Sequence, residues 1–155
     1  MLEVGQLFPD FALTDQEGNP FTKDNLLGHW SVVYFYPKDN TSGCTLEAKE
    51  FTCLIDQFQA KKTLVVGVSP DSVKSHANFI ASRELSLTLL SDPERVLSAA
   101  VGVWRLRKVC GRESYGVVRS SFLLDSQGVV KEVWTNVKAK GHAEAVLAKL
   151  GESQK

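Results

Sequence analysis

The sequence has little of several features that mark particular classes of protein. No apolar run approaches the roughly 20 residues needed to span a bilayer, and no basic segment leads into an apolar one at the N-terminus. Lysine plus arginine balance aspartate plus glutamate at 18 each, so the net charge provides no long-range attraction to nucleic acid or an anionic membrane. These absences predict a cytoplasmic protein whose partner is a small molecule or another protein.

Cysteine and histidine are also scarce. The three cysteines are Cys44, Cys53 and Cys110, and the three histidines are His29, His76 and His142. An odd number of cysteines without an export signal argues against a framework of structural disulfides. No cysteines have C-x2-C spacing and the histidines are scattered, so the sequence predicts no metal site.

The order of predicted elements indicates the fold. A chain of 155 residues suits one domain, residues 1–155, and two apolar β-rich runs, Ser31–Tyr36 and Thr63–Val68, flank a helical pattern from Cys44 to Ala60. This is a βαβ unit. The later predictions are a helix that starts at Asp71 or Ser72, a strand at Leu87–Leu90, a helix from Asp92-Pro93 to Gly102, antiparallel strands Ser120–Leu124 and Val129–Trp134, and a helix at His142–Leu150. Together they predict a thioredoxin-like α/β fold, a mixed sheet flanked by helices, with an N-terminal extension.

The segment from Tyr36 to Cys44 joins the first buried strand to the first long helix. A cysteine in the first turn of a helix faces unpaired N–H groups and the positive end of the dipole, which favour thiolate over thiol. Thr41 can hydrogen-bond a thiolate or an incoming oxygen, and Gly43 permits close approach of the backbone. The alternative reading is a small buried hydrophobe at Cys44, with Thr41 capping the helix.

The spacing Pro37-x3-Thr41-x2-Cys44 resembles the active-site signature of peroxiredoxins, and YFYPKDNTSGCTLEAKEF resembles the peroxiredoxin Q, or bacterioferritin comigratory protein, version. Further segments resemble the same family in order and extend the likeness over nearly the whole chain; they are Ser91-Asp92-Pro93, RSSFLLD from Arg119, and VKAKGHAE from Val137. The resemblance therefore implies a thiol peroxidase of this family.

The resemblance implies a role for each site residue. Cys44 attacks the peroxide O–O bond and becomes a sulfenic acid, which needs no cofactor. Thr41 orients thiolate and peroxide, Pro37 shields the sulfur, and the N–H groups of Gly43 and Cys44 bind peroxide oxygen. Without the resemblance, Arg119 would be interpreted as an ordinary surface or strand-edge arginine. The resemblance implies that it stabilises the thiolate and the transferring oxygens.

Glu47 follows Cys44 by one helical turn, where it can hold an arginine in place or simply complement the helix dipole. It is a secondary candidate.

The resolving thiol is left open. Many members of the family have a second cysteine five residues after the first, where this chain has Lys49. Cys53 lies on the opposite helix face, roughly 13 Å further along the axis, and Cys110 lies in a presumed loop. We favour an external thiol such as thioredoxin, glutaredoxin or a low-molecular-weight thiol, with Cys110 next and Cys53 last.

The expected partners are thus a hydroperoxide substrate and a thiol reductant, in a monomer or weak homodimer.

Two other functions use the same thiolate. A thiol-disulfide oxidoreductase would share the predicted fold, although C-x-x-C is missing, and a redox sensor would use oxidation of Cys44 as a switch. Turnover distinguishes a peroxidase from a sensor, which consumes about one equivalent of peroxide.

If Cys44 is the nucleophile, Cys44→Ser abolishes peroxide consumption and leaves the fold intact, because a serine hydroxyl is nearly isosteric but hardly ionised at neutral pH. A peroxide-consumption assay with circular dichroism of the variant checks both statements. Undiminished turnover would contradict the assignment.

Overall fold

The computed structural model describes the backbone of residues 1–155 and every side chain except that of Val109. The strands are β1 Ala12–Asp15, β2 Pro20–Thr22, β3 Trp30–Phe35, β4 Thr63–Ser69, β5 Thr88–Ser91, β6 Trp104–Val109, β7 Arg112–Val117, β8 Ser120–Leu124 and β9 Val130–Trp134. The α-helices are α1 Ser42–Cys53, α2 Ile55–Ala60, α3 Val73–Arg83, α4 Val96–Val101 and α5 His142–Ser153, and a 3₁₀ turn covers Lys23–Asn25. No helix of the described chain has both the length and the apolar character that crossing a bilayer requires.

Seven strands form one mixed sheet in the order β2-β1-β5-β4-β3-β8-β9. Strand β3 lies inside it, parallel to β4 and antiparallel to β8. The predicted βαβ unit and the antiparallel pair β8 and β9 are thus confirmed. The N-terminal extension is part of the sheet, because β1 pairs with β5.

The alternating side chains of the central strands divide the core between the two faces of the sheet. Val32 and Tyr34 face one side, where they pack with residues of α1, α2, α3 and α5. Val33 and Phe35 face the other, where Phe8 of the N-terminal segment and residues of α4 cover them. This period of two follows from the pleat of a strand. The predicted arrangement of helices on both faces is confirmed.

The predicted helix from Cys44 to Ala60 is wrong in its continuity. Helix α1 begins two residues earlier, at Ser42, and ends at Cys53. Leu54 has φ −100° and ψ 4° and separates α1 from α2. Phe51 of α1 and Phe58 of α2 are both buried in the same core, and their ring centroids are 5.9 Å apart. The apolar stripe therefore continues across a break that hydrophobic spacing does not reveal.

The start of the helix predicted at Asp92-Pro93 is also wrong. Helix α4 begins at Val96, after Arg95 in the left-handed conformation, and ends before Gly102 as expected. The Asp92 carboxylate nevertheless caps it from a distance, since it accepts from the N–H of Leu97 at 3.4 Å and from that of Ser98 at 3.0 Å. The predicted cap is therefore wrong as to position: Arg95, not Asp92, is the N-cap residue, and Pro93 lies in a turn before the helix. The preceding helix, α3, has Ser72 as its N-cap, as predicted.

A hairpin replaces the loop expected between Trp104 and Arg119. Strands β6 and β7 pair only with each other, and Cys110 and Gly111 form the turn, both with positive φ. A two-residue turn of this kind suits the twist of a hairpin. The cysteine at the first turn position concealed a signal that asparagine or aspartate would have shown.

Gly67 of β4 makes room for an aromatic ring. A Cβ at this position would lie 2.8 Å from Tyr34 Cζ and 2.8 Å from Leu89 Cδ2. Gly67→Ala should therefore destabilise the protein by about 1 to 3 kcal/mol through overpacking. Urea denaturation measures the change.

Gly116→Ala is the matched control, because its Cβ would meet only the flexible side chain of Arg107, with Cδ at 3.4 Å and Nη1 at 3.7 Å. Its stability should stay within about 0.5 kcal/mol of the parent chain. Equal stability of both variants would show that the strand neighbours of Gly67 yield without cost.

Candidate active site

The candidate site lies where β3 ends and α1 begins. The segment from Tyr36 to Thr41 makes this connection, and Thr41 is the N-cap of α1, with φ −77° and ψ 157°. The first helical hydrogen bond runs from the Thr45 N–H to the Thr41 carbonyl, so the N–H groups of Gly43 and Cys44 precede it. Cys44 is the third residue of the helix and is 1% exposed. The predicted position in the first turn is confirmed.

Arg119 connects the cysteine to a buried carboxylate. Its Nη2 donates to Cys44 Sγ at 3.2 Å, and its Nη1 donates to Glu47 Oε1 at 2.6 Å. Arg119 lies just before β8, next to β3 in the sheet, while the other two residues are one turn apart on α1. The structure thus brings together three predicted residues. Arg119 is 72 positions from Glu47 and 75 positions from Cys44 in the sequence.

Gly43 permits this approach of the guanidinium. A Cβ at position 43 would lie 3.1 Å from Arg119 Nη2. The Arg119 guanidinium, which donates to Cys44 Sγ, would then have to shift by a few tenths of an ångström. Glycine at this position therefore has a packing reason besides its role in the loop.

Burial and charge set the protonation of the pair. Burial raises the pKa of Glu47 to about 7, against the opposing effect of the Arg119 cation. Partial burial disfavours the charged form of Arg119, but the negative charges of Glu47 and Cys44 outweigh it and raise its pKa. Arg119 thus stays cationic beside the sulfur. Glu47 Oε2 has no hydrogen-bond partner among the described side chains.

Thr41 and Pro37 lie on the loop as predicted, but Thr41 does not cap the helix with its side chain. Its Oγ1 instead donates to the Lys38 carbonyl at 2.9 Å, within the loop. Thr41 is exposed and Pro37 is half-buried. The hydroxyl oxygen keeps lone pairs to accept a further bond.

Two residues beside this site were missed by sequence reasoning. Tyr34 is fully buried, and burial, followed by the charges of Glu47 and Cys44, raises the pKa of its phenol well above the ordinary value. Its ring stacks on Phe51 of α1. The available signal was the alternation of β3, which turns Tyr34 toward the helix that carries Cys44.

His142 is the second. Burial and the nearby Arg119 cation lower the pKa of His142 to about 4, so the ring is neutral at physiological pH. Its Nε2 lies 2.7 Å from Ser121 Oγ, and its ring meets Phe51 and Trp134 edge to face. No sequence pattern indicated that α5 starts beside Arg119.

The other candidate thiols lie away from Cys44. Cys53 is the exposed last residue of α1, and Cys110 is the exposed first residue of the hairpin turn. Six-residue strands at about 3.3 Å per residue put that turn roughly 20 Å from the base of the hairpin, next to Arg119. Lys49 is exposed.

One histidine that seemed isolated in the sequence meets two carboxylates. Asp39, Asp71 and His76 offer ligand atoms within 4.8 Å of one another. His76 Nδ1 and Asp39 Oδ2 are 2.7 Å apart, however, which is a direct hydrogen bond with no space for an ion between them. We propose no metal here, and the absence of a metal site stays a prediction.

Comparison with known proteins extends the likeness to the whole chain. Residues 4–133 match the model of the AhpC/TSA family. The putative peroxiredoxin bcp of Helicobacter pylori J99 is 46% identical over 149 residues, which cover 96% of this chain and 98% of the relative. Peroxiredoxin Bcp of Bacillus subtilis is 39% identical, with 96% and 95% covered.

Solved structures agree. A PrxQ mutant of Xylella fastidiosa has a TM-score of 0.94 at 34% identity, covering 100% of this chain and 99% of its own. The bacterioferritin comigratory protein of Xanthomonas campestris, studied for alkyl peroxide reduction, has a TM-score of 0.90 at 41% identity, covering 94% and 92%. The thioredoxin-like fold and the predicted family are confirmed. The chain therefore belongs to the peroxiredoxins of the AhpC/TSA family, in the Q or Bcp subfamily, and is a thiol-dependent peroxidase.

Proposed function

We propose that Cys44 is the peroxidatic nucleophile and that the chain reduces both hydrogen peroxide and organic hydroperoxides. The contact of Arg119 Nη2 with Cys44 Sγ carries this proposal. The thiolate attacks one peroxide oxygen, the O–O bond breaks, and the other oxygen leaves with its electron pair and takes up a proton as water or alcohol. Cys44 is then a sulfenic acid.

The geometry gives Arg119 two tasks. In the resting protein its Nη2 donates to the sulfur, which favours the thiolate. During the reaction, negative charge moves from sulfur to the leaving oxygen, beside the same fixed cation. A donor already in place at the developing charge needs no reorganisation at that moment. Glu47 holds the other end of the fork and is therefore a positioning residue.

The remaining roles complete the proposal. The N–H groups of Gly43 and Cys44 point out of the first turn of α1, where they can donate to a peroxide oxygen. Thr41 Oγ1 donates within the loop and can accept from a protonated peroxide. The half-buried Pro37 limits access of water to the sulfur. No cofactor takes part in these steps.

The wider assignments rest on the family and the sequence. A hydroperoxide and a thiol reductant are the family's reactants, and the activity named for the Xanthomonas campestris relative supports alkyl peroxides among the substrates. We propose thioredoxin, glutaredoxin or a low-molecular-weight thiol as reductant. A single domain over residues 1–155, a monomer or weak homodimer, a cytoplasmic location and the absence of nucleic-acid or membrane partners stay predictions.

The positions of the other cysteines favour an external resolving thiol. Cys44 and Cys53 are on one continuous helix, so a disulfide, which needs Cα atoms within about 7 Å, would require α1 to unwind. Cys110 lies at the far end of its hairpin, roughly 20 Å along the strands from the base next to Arg119, so it would have to move toward Cys44. A reductant that reaches the loop from outside needs neither movement. Of the described observations, none favours the sensor or the oxidoreductase.

The arginine and threonine roles are tested together. Arg119→Ala or Thr41→Val should slow oxidation of Cys44 by roughly 10- to 1000-fold, the scale of losing a positioned hydrogen-bonding group at the reacting centre. Stopped-flow fluorescence at pH 6 measures this rate.

The pH matters because Glu47 is buried. A carboxyl whose pKa is raised on folding stabilises the native state below its unfolded value, near 4.5, and that contribution is lost as pH rises through about 7. Arg119→Ala removes the cation that opposes the rise of the Glu47 pKa. This variant should therefore be more stable at about pH 6 than it is above about pH 7. Unchanged rates in both folded variants would show that the two residues lack these roles.

The resolution route makes a separate prediction. Neither Cys53→Ser nor Cys110→Ser should reduce steady-state turnover with a competent reductant. Without thiol, peroxide should leave a sulfenic acid at Cys44 that is open to overoxidation, since no internal thiol captures it promptly. Mass spectrometry with a sulfenic-acid trap measures the product. A stoichiometric Cys44–Cys110 or Cys44–Cys53 disulfide, with lost turnover in the matching serine variant, would contradict the external route.

A further inference from the structure

A buried polar cluster lies beneath the loop that leads to Cys44 and has no part in the site described above. At its centre Asp39 Oδ2 and His76 Nδ1 are 2.7 Å apart, with side chains 1% and 0% exposed. Asp39 Oδ1 accepts from Tyr36 Oη at 2.6 Å, and its Oδ2 accepts from Ser75 Oγ at 2.8 Å. A loop carboxylate thus makes three hydrogen bonds in the interior.

The contacts of His76 define how many protons the pair holds. Its Nε2 lies 2.9 Å from the Leu90 carbonyl oxygen, which only accepts, so Nε2 carries a hydrogen. One further proton must lie between Nδ1 and Asp39 Oδ2 for these atoms to bond. Whether it resides on the ring or on the carboxyl, the pair is neutral overall. Removal of either partner therefore takes a short hydrogen bond from a polar group that stays buried.

Two adjacent loop residues are fixed to the same side of the protein. The Asp39 N–H donates to Asp71 Oδ2 at 2.7 Å, and that oxygen also accepts from Ser69 Oγ at the end of β4. Asn40 has a positive φ of 63°, and its Oδ1 accepts from Arg83 Nε at 3.3 Å. The loop therefore depends on α3 and β4 for its conformation.

Burial shows how much rests on this one side chain. Between Pro37 and Gly43, Asp39 is the only buried residue, whereas Lys38, Asn40, Thr41 and Ser42 are all exposed. Apolar packing cannot hold such a segment, because its side chains face water. The turn that follows Asp39 sets both the hydrogen bond from Thr41 to Lys38 and the first residue of α1.

We propose that Asp39 and His76 are positioning residues for the peroxidase reaction. They hold the loop so that Thr41 and the first turn of α1 keep their places beside Cys44 and Arg119. The inference rests on the proposed role of Cys44. Loss of His76 takes one of three hydrogen bonds from the buried Asp39 carboxyl, and loss of Asp39 leaves His76 Nδ1 without its 2.7 Å partner. Either loss favours conformations in which the loop opens and position 39 reaches water.

The test is the rate at which peroxide oxidises Cys44 in four variants. His76→Ala and Asp39→Ala should slow stopped-flow oxidation at least about 10-fold, since displacements near 1 Å can cost about 100-fold in a positioned reaction. Ser75→Ala removes one hydrogen bond and is the milder variant if these two fold poorly. Asp39→Asn should recover most of the rate, because its amide can donate to a neutral ring and its oxygen can still accept from Tyr36.

Val101→Ala is the control for stability alone. Val101 is buried on the opposite face of the sheet, so this variant should lower the unfolding midpoint and leave the oxidation rate unchanged. Hydrogen exchange should show faster exchange of the Asp39 and Thr45 amides, which are hydrogen-bonded to Asp71 and Thr41, in His76→Ala and not in Val101→Ala. This local signature separates positioning from a general loss of stability.

Two results would overturn the inference. One is a parental oxidation rate in folded His76→Ala, Asp39→Ala and Ser75→Ala, and the other is an equal loss in Asp39→Asn and Asp39→Ala. Cys44→Ser keeps these outcomes distinct from failure of the proposed function. Turnover that persists in that variant refutes the role of Cys44, whereas an inactive Cys44→Ser with normal His76 variants refutes only the positioning role.

Discussion

The guanidinium of Arg119 is the interaction on which the site depends. It occupies a gap between Cys44 and Glu47 and donates to each. A carboxylate with no exposed surface is costly unless it is paired, and here the pair also directs a cation at a sulfur. Two neighbouring features of the structure make this contact possible. Gly43 leaves space for the guanidinium, and the sheet places Arg119 beside the strand that leads to the helix.

The same arrangement supports the proposed reactivity of a buried thiol. Cys44 is 1% exposed, and burial alone would favour the neutral thiol. The unpaired N–H groups of the first helical turn and the Arg119 donor provide the opposing stabilisation of the anion. Tyr34 and His142 are both neutral near this charge, so Arg119 is the neighbouring cation in contact with the sulfur. The proposed reactivity therefore rests on fixed donors beside the sulfur.

The loop before Cys44 combines an exposed surface with an internal anchor. Its outer residues face the solvent, while Asp39 enters a polar cluster formed with α3. Such polar clusters require every member to be satisfied. Within this short segment, the exposed residues therefore face the solvent and the buried Asp39 keeps the loop ordered. The two other cysteines lie at an end of α1 and at a hairpin turn, outside this segment.

Sequence reasoning identified the elements with strong local signals. The apolar runs predicted β3 and β4, and the serine cap indicated the start of α3, whereas the start of α4 was placed too early. It failed where local signals were masked or absent: the break at Leu54 interrupts a continuous apolar stripe, and the hairpin turn has Cys110 in place of asparagine or aspartate. These errors lie on the chain away from the loop, so the predicted position of Cys44 was unaffected.

The sequence by itself determined which residue is the candidate nucleophile, because the helix start, the spacing of Pro37, Thr41 and Cys44, and the family likeness are all local or collinear properties. Only the tertiary structure decided what surrounds it. Arg119 reaches Cys44 through the pairing of β3 with β8, and His76 reaches Asp39 through the packing of α3 on the loop. Contacts between residues 37 to 75 positions apart arise from how the strands pair and the helices pack. Hydrophobic periodicity along the chain does not predict these contacts, because they depend on how distant elements pack together in the complete fold.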